Sequence, residues 1–138
     1  MSGEFRLEVL GAQHDRTLFK CGVEALDGYF RTQATQDARR RASACYVAVQ
    51  DETNTVAGYY TLAAGSVPLT DLPASLSKRL PRYPSVPVAR VGGLAIDQSF
   101  QGRKLGAALV AHAALRALRS EVVVFALVVD AKDDAAST

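Results

Sequence analysis

The chain has little of what most catalytic machinery is built from. Of its 138 residues only two are cysteine, Cys21 and Cys45, and only two are histidine, His14 and His112. The cysteines have no metal-ligand spacing and no companion cysteines, so no metal site is expected and both thiols should be reduced and partly buried. A catalytic cysteine would need one of the two histidines. His112 falls on the apolar stripe of a helix and reads as a core-edge residue instead. No carboxylate pair and no Ser–His–Asp arrangement stands out. Two phosphate-binding spacings, Gly-x-x-x-x-Gly-Lys-Ser/Thr and Gly-x-Gly-x-x-Gly, are both missing. No apolar run approaches a membrane span, and Met1-Ser2-Gly3-Glu4 lacks a signal-peptide layout, so no membrane partner and a cytoplasmic location are expected. Linkers, repeats and low-complexity stretches are absent as well, and the length suits one domain around one core.

Net charge is only +2, yet its carriers are uneven: twelve of the sixteen basic residues are arginine. Arg39-Arg40-Arg41 form one cluster, and Lys78, Arg79, Arg82 and Arg90 form a second zone. The planar guanidinium suits phosphate because it bonds oxygens in pairs. Taken alone, the first cluster reads as a solvated helix end and the residues at 78–82 as a surface loop.

Apolar spacing sets out the elements. Phe5 to Leu10 alternates apolar and charged residues, as a half-buried strand does. Glu24 to about Arg41 is helix-compatible, and its stripe weakens after Phe30, which suits two helices. Ala44–Gln50 and Thr55–Ala64 flank the turn composition Asp51-Glu52-Thr53-Asn54 and make a hairpin. Five prolines between Ser66 and Pro87 argue against a long strand there and leave room for a short helix near Ala74–Leu80. Val88–Ile96 is a central strand. Leu105–Arg119 is a helix, with Leu105, Ala108, Leu109, His112 and Leu115 on its buried face. Val122–Val129, almost wholly apolar, reads as a strand covered on both faces. Asp133-Asp134-Ala135-Ala136 starts another helix, with acids in its first turn.

The most informative stretch is Val88-Ala89-Arg90-Val91-Gly92-Gly93-Leu94-Ala95-Ile96-Asp97 followed by Gln101-Gly102-Arg103-Lys104-Leu105-Gly106-Ala107. It is a buried strand, a glycine-containing loop and a helix start. Amides at a helix N-terminus lack intrahelical partners, and the helix dipole makes the place positive. Gly102 and Gly106 permit close backbone approach. Arg103 and Lys104 add mobile cations.

This stretch resembles the acetyl-CoA signature of GNAT-type N-acetyltransferases, with one departure: Lys104 stands where the middle glycine of Gln/Arg-Gly-x-Gly-x-Gly/Ala is usual. The resemblance implies an α/β (α+β) fold, with a mixed, mostly antiparallel sheet flanked by helices, and acetyl-CoA as cofactor. It implies that Leu94, Ala95 and Ile96 hold the pantetheine arm and that Gln101, Gly102, Arg103, Lys104, Leu105, Gly106 and Ala107 hold the pyrophosphate. Further motifs resemble the GNAT toxins of toxin–antitoxin pairs: Phe19-Lys20-Cys21-Gly22, Leu26-Asp27-Gly28-Tyr29-Phe30, Gly58-Tyr59-Tyr60-Thr61-Leu62, Val86-Pro87-Val88, Leu94-Ala95-Ile96-Asp97 and Val129-Asp130-Ala131-Lys132-Asp133. That similarity implies an aminoacyl-tRNA substrate, acetylated on its α-amino group to block translation, with Arg79, Arg82 and Arg90 on the RNA. It also implies a homodimer and a ribbon-helix-helix antitoxin.

The family pattern continues with Phe-Tyr and a Gly-Phe strand, whereas this sequence ends at Ser137-Thr138. The expectation is one GNAT domain over 1–138 lacking the last strands of the fold, with Val122–Val129 as an apolar edge seeking a partner. The tyrosine the family places near the thioester lies beyond Thr138, so no catalytic residue is assigned. Two rival readings stay open. One is a GNAT enzyme acting on a small amine or a protein N-terminus. The other is a catalytically inactive protein that binds CoA or a partner.

Overall fold

The computed structural model describes residues 4–78, 84–121 and 124–129. Its elements run β1 (Phe5–Val9), α1 (Glu24–Thr32), α2 (Ala34–Arg39), β2 (Ala44–Gln50), β3 (Val56–Pro68), α3 (Ala74–Ser77), β4 (Ser85–Ile96), α4 (Leu105–Leu118) and β5 (Ala126–Val129). The strands form one five-stranded sheet in the order β1-β2-β3-β4-β5. The first three pairings are antiparallel and β4–β5 is parallel. This is the mixed, mostly antiparallel sheet expected from the sequence.

Period-2 alternation explains how one sheet carries two apolar faces. On one face Tyr46, Ala48, Tyr60, Val91, Leu94 and Ile96 pack against Leu105, Leu109 and Ala113 of α4. On the other, Val47, Val49, Tyr59 and Ala95 pack against Leu26, Phe30 and Ala34 of α1 and α2. The Phe30 and Tyr59 rings stack with centroids 4.2 Å apart, a contact contributing about 1 kcal/mol beyond its buried area. Tyr59 is fully buried, and its hydroxyl donates to the Leu26 carbonyl at 2.8 Å. The helical stretch after Glu24 does break in two, at Gln33, and Tyr29 Oη donates to Asp37 Oδ2 at 2.7 Å to hold α2 against α1. The hairpin turn after β2 ends on Asn54 in the left-handed region (φ +58°), which asparagine tolerates. Arg6 of β1 grips it, donating to Asp51 Oδ1 at 3.2 Å and Asn54 Oδ1 at 2.7 Å.

Three expectations need correction. The proline-rich stretch does not stop the strands: β3 runs on to Pro68 and β4 starts at Ser85. Pro87 sits inside β4 because it needs only its carbonyl there, which accepts the Phe125 N–H at 2.8 Å. The buried face of α4 is rotated from the expected one. Leu105, Gly106, Leu109 and Ala113 are inside, whereas Ala108 is exposed and Leu115 is 47% exposed. A stripe at 105, 109 and 113 follows the i, i+4 row that faces β3 and β4. Finally, β5 is not covered on both faces: Val129 is 40% exposed. With β1 it is one of the two edge strands among the described residues, and α4 packs on β3 and β4. Residues 122–123, the expected helix start at 133–136 and most of the 129–133 motif lie outside the described residues.

Candidate active site

The site is built where β4 loses a neighbour. Its pairing with β5 covers Val88–Val91, opposite Ala126–Val129. Beyond Val91 the edge of β4 that faces β5 has no strand partner among the described residues. The other edge stays paired to β3, with Leu94, Ala95 and Ile96 opposite Tyr60, Tyr59 and Gly58. The N–H of Asp97 donates to the Ala57 carbonyl of β3 at 2.8 Å. Counting back by two places the amides of Ala95 and Gly93 toward β3, and those of Leu94 and Ile96 on the open edge. The side chains of Leu94, Ala95 and Ile96 are buried at 4%, 1% and 1% exposure, so these residues offer a ligand their backbone only.

Between Val91 and Leu94 the ladder slips. Tyr60 faces Leu94 and Leu62 faces Val91, so Thr61 faces both Gly92 and Gly93. This is a β-bulge, a device that bends a strand and re-aims its groups. Thr61 is buried and its Oγ1 accepts the Gly93 N–H at 2.9 Å.

The loop after β4 is braced from below. Asp97 accepts Ser99 N–H at 2.9 Å through Oδ1 and Lys20 N–H at 3.0 Å through Oδ2. Gln101 donates from Nε2 to the Ile96 carbonyl and the Cys21 carbonyl, both at 2.9 Å. Its amide thus ties the end of β4 to the Phe19–Gly22 segment. The backbone then turns through Gly102 (φ +81°) and Lys104 (φ +62°) into α4. At Gly102 a Cβ would meet nothing within 4 Å, so open space lies over the loop. The first amides of α4 have no intrahelical acceptors and collect at this spot with the positive end of the helix dipole. Lys104 is exposed there. Arg103 lies over the Phe100 ring, 5.4 Å from its centroid, with Nη1 3.5 Å from Glu4. Leu105 and Gly106 are buried and Ala107 is exposed.

Gln101 to Ala107 therefore come together with Leu94–Ile96 at one end of β4. Arg90 does not join them. It lies in the half of β4 paired with β5, opposite Ala63 and Val128. Arg79 and Arg82 lie outside the described residues. Sequence reasoning missed Thr61 and the brace at Lys20 and Cys21. The brace had left a trace: Phe19-Lys20-Cys21-Gly22 is a distinct motif with no chemistry of its own.

The two histidines bond to other side chains. His112 Nδ1 is 2.7 Å from Tyr60 Oη, and His14 Nε2 is 2.7 Å from Glu8 Oε1. Among the described residues neither cysteine is in a disulfide and both are buried, and burial pushes the Cys45 thiol up to about 12, which leaves it protonated and inert. A groove of about 390 Å³ lies at the other end of α4, between Tyr46, Leu62, Arg116 and Ser120, away from the loop. Among the described residues, no group of three or more His, Cys, Asp or Glu could hold a metal.

The model of the acetyltransferase (GNAT) family matches residues 12–137. Two curated relatives are a probable toxin TacT of Sinorhizobium fredii and a tRNA-acetylating toxin of Mycobacterium tuberculosis. The first is 31% identical over 71% of this chain and 54% of its own length. The second is 34% identical over 87% of this chain and 70% of its own length. The chain thus spans about half the length of the first relative. A solved structure of AtaT complexed with acetyl-methionyl-tRNAfMet superposes with a TM-score of 0.83 at 32% identity, covering 94% of this chain and 79% of that one. A mutant AtaT toxin bound to the C-terminus of the antitoxin AtaR and acetyl-CoA gives 0.64 at 32% identity, covering 80% and 63%.

Proposed function

This chain belongs to the acetyltransferase (GNAT) family, and on that premise we propose that it is an acetyl-CoA-dependent N-acetyltransferase acting as a toxin on the α-amino group of aminoacyl-tRNA. One observation carries the cofactor half of this reading. The open edge of β4 at Leu94–Ile96 runs directly into a braced, glycine-bent loop and the N-terminus of α4. An extended arm bearing amides fits the open edge as an added strand would. A diphosphate fits the helix start, where the Gly102–Ala107 amides and Lys104 converge. The open space over Gly102 admits it.

Acetyl-CoA supplies an acetyl group activated as a thioester. The protein's part is positioning and charge stabilisation. The Leu94 N–H, on the open edge beside the bulge, donates toward the thioester carbonyl as its oxygen gains negative charge. An α-amino group has a pKa of about 8, so a fraction is already neutral at pH 7 and no strong protein base is required. The amine nitrogen forms the new bond to the acetyl carbon, the carbon–sulfur bond breaks, and the proton lost by nitrogen ends on the CoA sulfur or in solvent.

The acceptor half rests on the relatives named for tRNA acetylation and on the complex with acetyl-methionyl-tRNAfMet. Arg79, Arg82 and Arg90 take RNA phosphates in this reading, which suits an acceptor arm gripped through its backbone and shape. A homodimer and an antitoxin of the ribbon-helix-helix type complete it, and the substrate places the action in the cytoplasm. The antitoxin part draws support from the AtaR complex. Among the described residues, no helix is long and apolar enough to cross a membrane.

The test is a cell-free translation reaction depleted of acetyl-CoA. The protein should stop synthesis only when acetyl-CoA is returned, and fresh aminoacyl-tRNA should restore it. Arrest without acetyl-CoA, or none with it, contradicts the proposal.

A further inference from the structure

We propose that Thr61 is a positioning residue for acetyl transfer: its hydroxyl pins the Gly92–Gly93 bulge and so aims the Leu94 N–H at the acetyl carbonyl. The inference rests on the acetyl-CoA reading above and assigns a role to a side chain that never touches the ligand.

A bulge leaves one residue of the ladder without its partner on the facing strand. Here the orphaned donor is the Gly93 N–H, and the structure satisfies it with a side chain: Thr61 Oγ1 accepts at 2.9 Å. The bond is buried, with Thr61 only 5% exposed, so water cannot take its place. Both bulge residues are glycine and have no side chain to hold them. The same Thr61 oxygen lies 3.4 Å from where a Cβ on Gly92 would be and 3.6 Å from the one on Gly93. One hydroxyl therefore bonds one bulge residue and lies close beside the other. On the following residues the alternation is fixed from the other side. Asp97 N–H bonds to Ala57 on β3, and Gln101 takes the Ile96 carbonyl from the open edge. Leu94 is the first residue past the bulge, and its amide direction is set by how the bulge is held. Releasing Gly93 frees the Gly93–Leu94 peptide to rotate, which swings the Leu94 N–H off the acetyl carbonyl, while the pairing of Leu94–Ile96 with β3 holds the rest of the edge in register.

The proposal predicts a separation between binding and turnover. Thr61→Val keeps shape and volume but removes the acceptor. In the ligand-free protein it should raise the hydrogen-exchange rate of the Gly93 amide at least tenfold. Acetyl-CoA affinity by calorimetry should stay within about threefold, because the loop and α4 are untouched. With carbonyl-labelled acetyl-CoA bound, the carbon-13 resonance should move back toward its position in free solution. The value of kcat should fall about 10- to 100-fold at unchanged KM, less than the roughly 100- to 1000-fold for deleting an oxyanion donor, because the donor is misaimed rather than removed. Thr61→Ser keeps the hydroxyl and should restore the exchange rate, the carbonyl resonance and kcat. A Thr61→Val protein with wild-type carbonyl resonance and kcat overturns the assignment, as does a Thr61→Ser protein as impaired as the valine variant. Wild-type protein that does not bind acetyl-CoA overturns the functional reading and this inference with it. Normal binding with an insensitive Thr61 overturns this inference alone.

Discussion

Two side chains show how polar groups in this protein brace the fold rather than contact a ligand. A glutamine opening a glycine loop reads in the sequence as a phosphate contact, yet the Gln101 amide is spent on the Ile96 and Cys21 carbonyls. The ligand-free protein therefore distinguishes a brace from a ligand. Gln101→Ala should lower unfolding stability by about 1–3 kcal/mol, the range for orphaned buried partners. Gln101→Glu should lower it further, because a carboxylate would then face two carbonyl oxygens. Urea unfolding checks both, and unchanged midpoints would mean that the bonds carry no load. His112 is the second case. The sequence placed it at the edge of the core, and there its Nδ1 hydrogen-bonds with the Tyr60 hydroxyl and its ring meets the Tyr46 and Tyr60 rings edge-on. Burial, and to a smaller extent Arg116, lowers its pKa. The native state thus favours the neutral ring, while the unfolded chain takes a proton near pH 6.5. Stability should be intact above that pH and fall as the pH drops below it. His112→Gln should flatten that loss between pH 7 and 5 in urea melts. A loss as large in the variant as in the wild type would remove His112 from the account.

At the scale of elements, strand and helix identities were legible wherever one period dominated. Ala44–Gln50 reads as a strand of the same bounds because its apolar run stops at a turn with Asn54. The limits failed where tertiary partners overrode local chemistry. Pro87 is tolerated in β4 because only its carbonyl is used, and α4 turned its i, i+4 row inward rather than the broader stripe through Leu115. The bulge at Gly92–Gly93 left no signal beyond two adjacent glycines, since a register slip belongs to the pair of strands. The loop and α4 act as one unit, which gives a sharp substitution. Gly106→Asp places a carboxylate in the first turn of α4, where the helix dipole tolerates an anion. Because Gly106 is buried, circular dichroism first checks that the variant folds, and in the folded protein acetyl-CoA binding should weaken more than 100-fold by calorimetry. Unchanged affinity would move the cofactor away from this helix start.

For the whole molecule, the order of motifs indicated the GNAT sheet before any pairing was seen, because each motif falls at a fixed point of the chain and sheet order follows chain order. The acceptor side was legible only as scattered arginines. Charge in a sequence does not say which residues share a surface, and Arg79 and Arg82 lie outside the described residues. Arg90→Glu should weaken transfer to aminoacyl-tRNA several-fold and flatten its dependence on salt, the signature of a lost phosphate contact. An unchanged salt slope would leave Arg90 a structural residue of β4. The central claim concerns the acceptor, and mass spectrometry of the amino acid released from tRNA tests it directly. The protein, acetyl-CoA and a mixture of charged tRNAs, free amino acids and polyamines are incubated together. The account predicts a gain of one acetyl group on the α-nitrogen of the tRNA-linked amino acid, with the free amines unmodified. Acetylated polyamines or free amino acids beside untouched aminoacyl-tRNA would contradict it.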